Sequence, residues 1–139
     1  MAFRIFLDAG VLLDLTLKRE GYAVARQLME LAVNGRIQAY VTAVVLQEAG
    51  RQLKRIYGAA RAREILLAIL AEVSVIDSGQ NVAISALHSA MGDMDDVLSY
   101  YTALHHKLDY FISRDKGLQK AAIPVLPVYS PEEFLKSNQ

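Results

Sequence analysis

Acidic side chains occupy four places where a β-rich stretch adjoins a helical one. Asp8 ends the apolar run of residues 5–7, and Glu48 lies in the early turns of a helix that follows a β-rich segment. Asp96 lies in the first turn of a predicted helix, and Asp115 follows the strand that comes after that helix. In a parallel sheet, the carboxyl ends of the strands and the adjoining helix ends share one edge. We therefore expect the four carboxylates to converge there.

A cluster of carboxylates predicts a particular chemistry. Like charges at close range repel, and the acids would take up protons unless a cation neutralised them. All-oxygen ligation favours a hard divalent ion, Mg²⁺ or Mn²⁺, over zinc. The sequence has no Cys, which excludes a thiolate metal site and a cysteine nucleophile. A metal held by carboxylates can activate water and stabilise charge on a phosphate, which is the chemistry of phosphodiester hydrolysis.

Each acid also has an ordinary structural alternative. Glu48 could pair with Arg51, three residues on, across a solvated helix face. The other acids could be helix caps or first-turn acids favoured by the helix dipole: Asp8, Asp93, Asp96 and Asp115. For any one residue taken alone, the structural role explains the sequence at least as well. The coincidence of four acids at one edge is what favours a functional site.

The elements that must position these acids alternate along the chain. Residues 5–7 are apolar with no helical spacing, which is typical of a strand buried on both faces of a parallel sheet. Further β-rich stretches occur at 38–42, 73–76, 110–112 and 125–128, with helical patterns between them. We predict an α/β fold: one three-layer α/β/α sandwich over residues 1–139, with a short parallel sheet of four or five strands. Pro127 suits an edge position for the last strand.

Helical periodicity predicts which side chains face the core. In the helix that carries Glu48, the predicted core stripe is Leu46, Ala49, Leu53 and Ile56. In the helix from 93 to about 108, the predicted stripe is Val97, Tyr101, Leu104 and Leu108. The last helix carries a clear start signal, with Ser130 as the N-cap, Pro131 at the first helical position and Glu133 at the third.

Composition sets broad limits on function. The 139 residues are 53% hydrophobic, enough for a substantial core. The formal net charge is 0, which excludes a strong overall attraction to nucleic acid but leaves room for a local basic patch. Apolar runs are too short to span a bilayer, and the first strand begins at once, so we expect a soluble, cytoplasmic protein without a membrane anchor.

A local basic patch is present on the helix that carries Glu48. Arg51 and Arg55 follow Glu48 at i+3 and i+7 on the same face, with Lys54 nearby. These side chains could hold RNA phosphates beside the acids. A solvated helix face explains them equally well. No aromatic residues lie between these charges, so stacking on bases is not indicated.

Four short motifs, taken in order, resemble a known family. The first is Ile-Phe-Leu-Asp-Ala-Gly-Val-Leu-Leu-Asp at 5–14, and the second is Val-Thr-Ala-Val-Val-Leu-Gln-Glu at 41–48. The others are Asp-Met-Asp-Asp-Val-Leu at 93–98 and Asp-Tyr-Phe-Ile-Ser-Arg-Asp at 109–115. Their order and spacing resemble the PIN domain, a metal-dependent nuclease fold shared by VapC-type toxins of toxin–antitoxin pairs.

The resemblance implies a function and a set of roles. It implies a ribonuclease that uses Mg²⁺ or Mn²⁺, with RNA as substrate, an antitoxin protein as a possible partner and a homodimer as the assembly. The implied catalytic residues and metal ligands are Asp8, Glu48, Asp96 and Asp115. Asp93 and Ser113 are the implied supporting residues.

Gly10 departs from the family pattern, which usually has Asn at this position. In the family, that polar side chain helps to organise the site. Two functions therefore stay open on the sequence: an active metal-dependent ribonuclease, or a catalytically weak or inactive PIN-like module that binds RNA or protein. Activity with and without Mg²⁺ separates them.

Overall fold

The computed structural model describes residues 2–138 and contains a five-stranded, entirely parallel sheet. The strands are β1 (Phe3–Leu7), β2 (Ile37–Val41), β3 (Val73–Val75), β4 (Tyr110–Ile112) and β5 (Val128–Tyr129). Their order across the sheet is β3-β2-β1-β4-β5. The prediction of an α/β fold with a short parallel sheet is confirmed, and β5 lies at an edge as Pro127 indicated.

Helices connect the strands and cover both faces of the sheet. They are α1 (Ala9–Thr16), α2 (Tyr22–Val33), α3 (Ala43–Tyr57), α4 (Ala59–Leu70), α5 (Gly79–His88), α6 (Met94–His105), α7 (Lys116–Ala121) and α8 (Pro131–Ser137). For this strand order, the rule that crossovers are right-handed puts α1–α4 on one face of the sheet and α5–α7 on the other face. Within residues 2–138, no helix is both long and apolar enough to cross a membrane.

The core is centred on β1 and β4. Ile5, Phe6 and Leu7 are all buried, and since successive strand residues point to opposite faces, helices must cover both. Phe6 is in register with Phe111 of β4, and their rings stack with centroids 4.7 Å apart. Tyr100 of α6 packs against the same Phe111 ring at 5.5 Å. This aromatic contact fixes α6, which begins beside the acid site, against the central strands.

The predicted stripe of α3 is partly wrong. The buried residues are Val45, Ala49 and Leu53, which recur every four residues and give one narrow line along the helix. Leu46 is only partly buried, and Ile56 in the last turn is 56% exposed. Ala49 and Leu53 are as predicted, and they pack with Leu13 of α1 and Ala62 of α4, whereas Val45 in place of Leu46 is the residue fully buried in the main core.

Two further details differ from the sequence expectation. In α6 the fully buried aromatic residue is Tyr100, and Tyr101 only packs against the core's margin. The last strand is Val128–Tyr129, later than the predicted 125–128, because Val125 lies in the preceding turn and is 73% exposed. The start of α8 is as predicted, with a capping box between Ser130 and Glu133.

Tyr100 provides a test of how the core is held together. Its hydroxyl donates to the Leu126 carbonyl at 2.7 Å and accepts from the Ile123 amide at 2.8 Å. Tyr100→Phe leaves both backbone groups without a partner, so we expect the free energy of unfolding to fall by about 1–3 kcal/mol. Urea denaturation measures this change.

The matched control is Tyr40→Phe. The Tyr40 hydroxyl donates to Gln38 at an exposed position, where water replaces the lost bond. We expect a change within about 0.5 kcal/mol. Equal losses in the two variants would contradict the role given to Tyr100.

Candidate acidic active site

The site lies between β1 and β4. The chain adds β2 and β3 on one side of β1 and then crosses over to add β4 and β5 on the other side. The Asp8 amide donates to the Ile112 carbonyl at 3.3 Å, which extends the pairing of these strands by one residue. Ser113 and Asp115 follow β4 directly. Clefts at such switch points, outside the carboxyl ends of parallel strands, are the usual ligand sites of this architecture.

Three of the acids are helix N-caps, the structural role that the sequence left open. Each accepts a backbone amide through Oδ1: Asp8 from Val11 (3.1 Å), Asp93 from Asp96 (3.0 Å) and Asp115 from Leu118 (3.1 Å). The cap engages one carboxylate oxygen and leaves the other available. Capping therefore fixes the orientation of these side chains without excluding a second role.

Several neighbouring groups change the pKa of Asp8. Burial raises its pKa above the ordinary value, and the hydrogen bonds from Ser113 and Val11 act in the opposite direction. The charges of Asp115 and Asp14 raise the pKa further. Ser113 is fully buried, and its hydroxyl also accepts the Asp115 amide at 3.1 Å, so it lies between the two acids.

Glu48 and Asp96 are part of the same electrostatic cluster. Burial and, to a smaller extent, the charges of Asp93, Asp115, Asp8 and Glu48 together raise the pKa of Asp96 to about 7. Burial also raises the pKa of Glu48, with Asp95, Asp93 and Asp8 acting in the same direction. The structure thus brings carboxylates from four separate elements close enough to oppose one another's ionisation.

Proximity is not the same as a formed metal site. Within residues 2–138, no three or more His, Cys, Asp and Glu side chains are arranged to hold one metal ion. A cleft of about 260 Å³ is lined by Asp8, Gly10, Ser113 and Asp115, among others, but not by Glu48 or Asp96. Glu48 and Asp96 are each partly buried beside this cleft.

A family model for the PIN domain matches residues 5–124. The chain belongs to the PIN domain family. This confirms the resemblance drawn from the four motifs and supports a nuclease function in general. A comparison with curated proteins gives no significant match.

Solved structures share the fold at low sequence identity. The VapBC2 complex of Rickettsia felis bound to promoter DNA matches with a TM-score of 0.66 and 15% identity, covering 91% of this chain and 97% of that one. VapC20 of Mycobacterium tuberculosis, a toxin that cleaves the sarcin–ricin loop, gives 0.68 and 16%, covering 86% and 95%. A toxin–antitoxin complex from Klebsiella pneumoniae gives 0.69 and 23%, covering 91% and 97%.

The candidate ligand atoms of this PIN domain are of the chemical type that a hard divalent cation prefers. The candidate ligands are all carboxylate oxygens, and burial together with the charges of the neighbouring acids raises the pKa of Asp96. Arg51 lowers the pKa of Glu48 through its charge, although the ion pairs found among residues 2–138 do not include this pair. Arg51, Lys54 and Arg55 are all exposed on α3.

The sequence reasoning missed a group of charged residues beside the acids. Asp14 and Arg114 lie within the first and last of the four motifs, and Arg19 lies outside them. In the structure all three line the acid cleft. The available signal was Asp14 itself, a charge inside the apolar run Val-Leu-Leu-Asp-Leu of a short helix.

The pKa of Asp96 makes stability depend on pH. Because the folded value is about 7 and the unfolded value 3.8, the folded state binds more protons between these limits. The free energy of unfolding should therefore fall as the pH rises through this window. In metal-free buffer, we expect Asp96→Asn to raise the melting temperature by a few degrees at pH 8 and hardly at all at pH 4, measured by calorimetry.

Asp77→Asn is the control, since Asp77 is an exposed aspartate that contributes to none of these shifts. It should give no gain that grows with pH. An Asp96→Asn gain that is the same at pH 4 and pH 8 would rule out an ionisation effect.

Proposed function

We propose that this PIN domain is a divalent-metal-dependent endoribonuclease and the toxin component of a toxin–antitoxin pair. The observation that carries the proposal is the convergence of carboxylates from four elements at the carboxyl edge of the sheet, with Asp8 and Asp115 lining one cleft and Glu48 and Asp96 near enough for each charge to affect the others. Membership of the PIN family supports nuclease chemistry at this site.

The proposed ligands of Mg²⁺ or Mn²⁺ are Asp8, Glu48, Asp96 and Asp115. A bound ion of this kind supplies an activated water and charge stabilisation at the phosphate. The chain itself orients the ligands, because the caps at Asp8 and Asp115 and the Ser113 hydroxyl between them restrict their rotation. Asp93 supports the site by capping α6 and adding negative charge beside Asp96.

No protein nucleophile is required by this proposal. The chain has no Cys. Ser113 is the hydroxyl residue adjoining the acids, but it is fully buried and engaged with Asp115. It is therefore placed to position carboxylates and not to attack a phosphate. Water is the nucleophile that remains, with one of the carboxylates as its proton acceptor.

The basic residues of α3 are proposed RNA contacts. Arg51, Lys54 and Arg55 are exposed on the helix that carries Glu48. Arg51 is near enough to Glu48 to affect its pKa. Phosphate contacts at this distance would position RNA beside the acids without reading its sequence.

Partners are proposed from the relatives. The Rickettsia felis structure is a VapBC2 complex, and the Klebsiella pneumoniae structure is a toxin–antitoxin complex. These descriptions support an antitoxin partner for this chain. The resemblance to the family also supports a homodimer.

The nuclease proposal is tested with purified protein and single-stranded RNA. We expect cleavage with Mg²⁺ or Mn²⁺, loss of cleavage on adding EDTA and recovery with excess ion. Asp8→Asn should reduce the rate by about 10²-fold or more, since it removes a ligand charge while keeping the shape of the side chain.

Asp77→Asn, purified in parallel, is the matched carboxylate control and should cleave at the wild-type rate. Cleavage that persists both in EDTA and in Asp8→Asn would mean a contaminating nuclease or a different role for the acids. Either result would overturn the proposal.

A catalytically weak or inactive binding module is the second candidate, and Gly10 is the observation that favours it. Gly10 is exposed and lines the acid cleft without contributing a polar group. Among residues 2–138, no three such side chains are arranged to hold one metal ion, which agrees with a relaxed site. In this case the domain binds RNA or protein through the same edge with little hydrolysis.

Gly10→Asn distinguishes a weakened site from a lost one. A Cβ at this position would lie 3.5 Å from Asp8 Oδ1, an ordinary van der Waals contact, so the backbone has room for a side chain to begin there. If Gly10 is what weakens the site, Asn should tighten Mn²⁺ binding by severalfold in calorimetric titration. Gly10→Ala adds the Cβ without the amide and should leave the affinity unchanged. An unchanged affinity in Gly10→Asn would show that Gly10 is not the weak point.

A further inference from the structure

Two arginines and two acids form a connected network at the rim of the acid cleft. Asp14 accepts a hydrogen bond from Arg19 Nε at 3.1 Å and another from Arg114 Nε at 3.2 Å. Arg114 Nη1 also donates to Glu132 at 2.7 Å. These four residues, the Asp14 network, connect α1, the loop before α2, the loop after β4 and the start of α8.

Asp14 is the centre of the network. It is only 7% exposed, and a buried carboxylate is costly unless it is paired and hydrogen-bonded. Each of its oxygens accepts from a different guanidinium, so the pairing is complete. Asp14 also lines the acid cleft and raises the pKa of Asp8 through its charge. The arginines therefore hold Asp14 away from any role as a free ligand.

Gly21 shows how closely Arg114 is packed. A Cβ on Gly21 would overlap the Arg114 guanidinium and lie 2.5 Å from Asp14 Oδ2, so both side chains would have to move to admit one. Arg114 Nη2 is buried against this segment and has no hydrogen-bond partner. The contact with Gly21 and the burial of Nη2 show that the guanidinium is closely enclosed at this position.

The place of Arg114 in the chain shows what it positions. It lies between Ser113, whose hydroxyl acts on Asp8, and Asp115, which caps α7. Fixing the Arg114 side chain at Asp14 and Glu132 therefore fixes the backbone that carries both neighbours. We propose that Arg114 is a positioning residue of the acid site, which holds Ser113 and Asp115 against Asp8 and so sets the affinity for a divalent cation.

This inference rests on the proposed metal-dependent function. Its prediction for the cation affinity of an Arg114 variant is opposite to the one that electrostatic attraction alone gives. Removing the positive charge of Arg114 makes the site more negative, which by Coulomb attraction alone should tighten cation binding. Loss of positioning should weaken binding. Second-sphere groups that orient metal ligands characteristically have effects of this kind.

The experiment measures Mn²⁺ affinity by calorimetric titration for the wild type, Arg114→Gln and Arg114→Lys. We expect both variants to bind about tenfold more weakly. Lys keeps the charge but cannot reproduce the planar fork that joins Asp14 to Glu132. The control is Arg26→Gln, which breaks an exposed pair with Glu30 on α2 and should not alter the affinity.

Amide hydrogen exchange at residues 113–118 is the second measurement. It should be faster in Arg114→Gln than in the wild type, with no such change in Arg26→Gln. If the wild type binds Mn²⁺ and Arg114→Gln binds it equally or more tightly, the positioning role is wrong while the proposed function stands. If the wild type binds no Mn²⁺, the metal site fails, and unchanged exchange at 113–118 would then overturn the positioning role separately.

Discussion

The pairing of β1 with β4 is the constraint on which the acid site depends. Leu7 is in register with Ile112, and the Asp8 amide continues the hydrogen bonding to the Ile112 carbonyl. Backbone bonds, and not side-chain contacts, therefore bring Asp8 beside Ser113. A shift of one residue between these strands would turn their side chains to opposite faces and separate the acids. The stacked rings of Phe6 and Phe111 oppose such a shift, because they pack correctly only in the observed register.

The helix caps reconcile two demands on the same side chains. A helix that begins at the carboxyl edge needs a side-chain acceptor for its first amides, and a metal site needs carboxylates at that edge. Asp8 and Asp115 meet both demands because a carboxylate has two oxygens and the cap uses one. The cost is electrostatic: burial and the charges of neighbouring acids raise the pKa of Asp8 and of Asp96, and the folded state becomes less stable as these two ionise. The core around Tyr100 and Phe111 must offset that repulsion.

What the sequence predicted well depended on local pattern. A few neighbouring residues are enough to recognise Asp8 at a strand end and Ser130 before Pro131 as possible helix starts. The structure shows both as N-caps. Local pattern could not predict that Tyr100 is buried in place of Tyr101. That choice depends on distant residues, because the Tyr100 ring packs on Phe111 and its hydroxyl binds the turn at 123–126. The Asp14–Arg114 pair is harder still, since 100 residues separate its members. The catalytic assignment of the acids stays a prediction, because their order and spacing locate them without fixing their oxygens around an ion.

Under the proposed function, the distribution of charge explains why an ion would matter to RNA binding as well as to hydrolysis. The net charge is 0, so no overall field attracts RNA, and attraction must come from groups within roughly one Debye length, about 10 Å. The acid cleft repels phosphate as long as its carboxylates are ionised. Arg51, Lys54 and Arg55 supply positive charge on α3, while Arg19 and Arg114 are largely compensated by Asp14 and Glu132. Under the proposed function, a divalent cation reverses the sign of the cleft itself. Phosphate can then approach the carboxylates, and the side chains of α3 need only align the RNA.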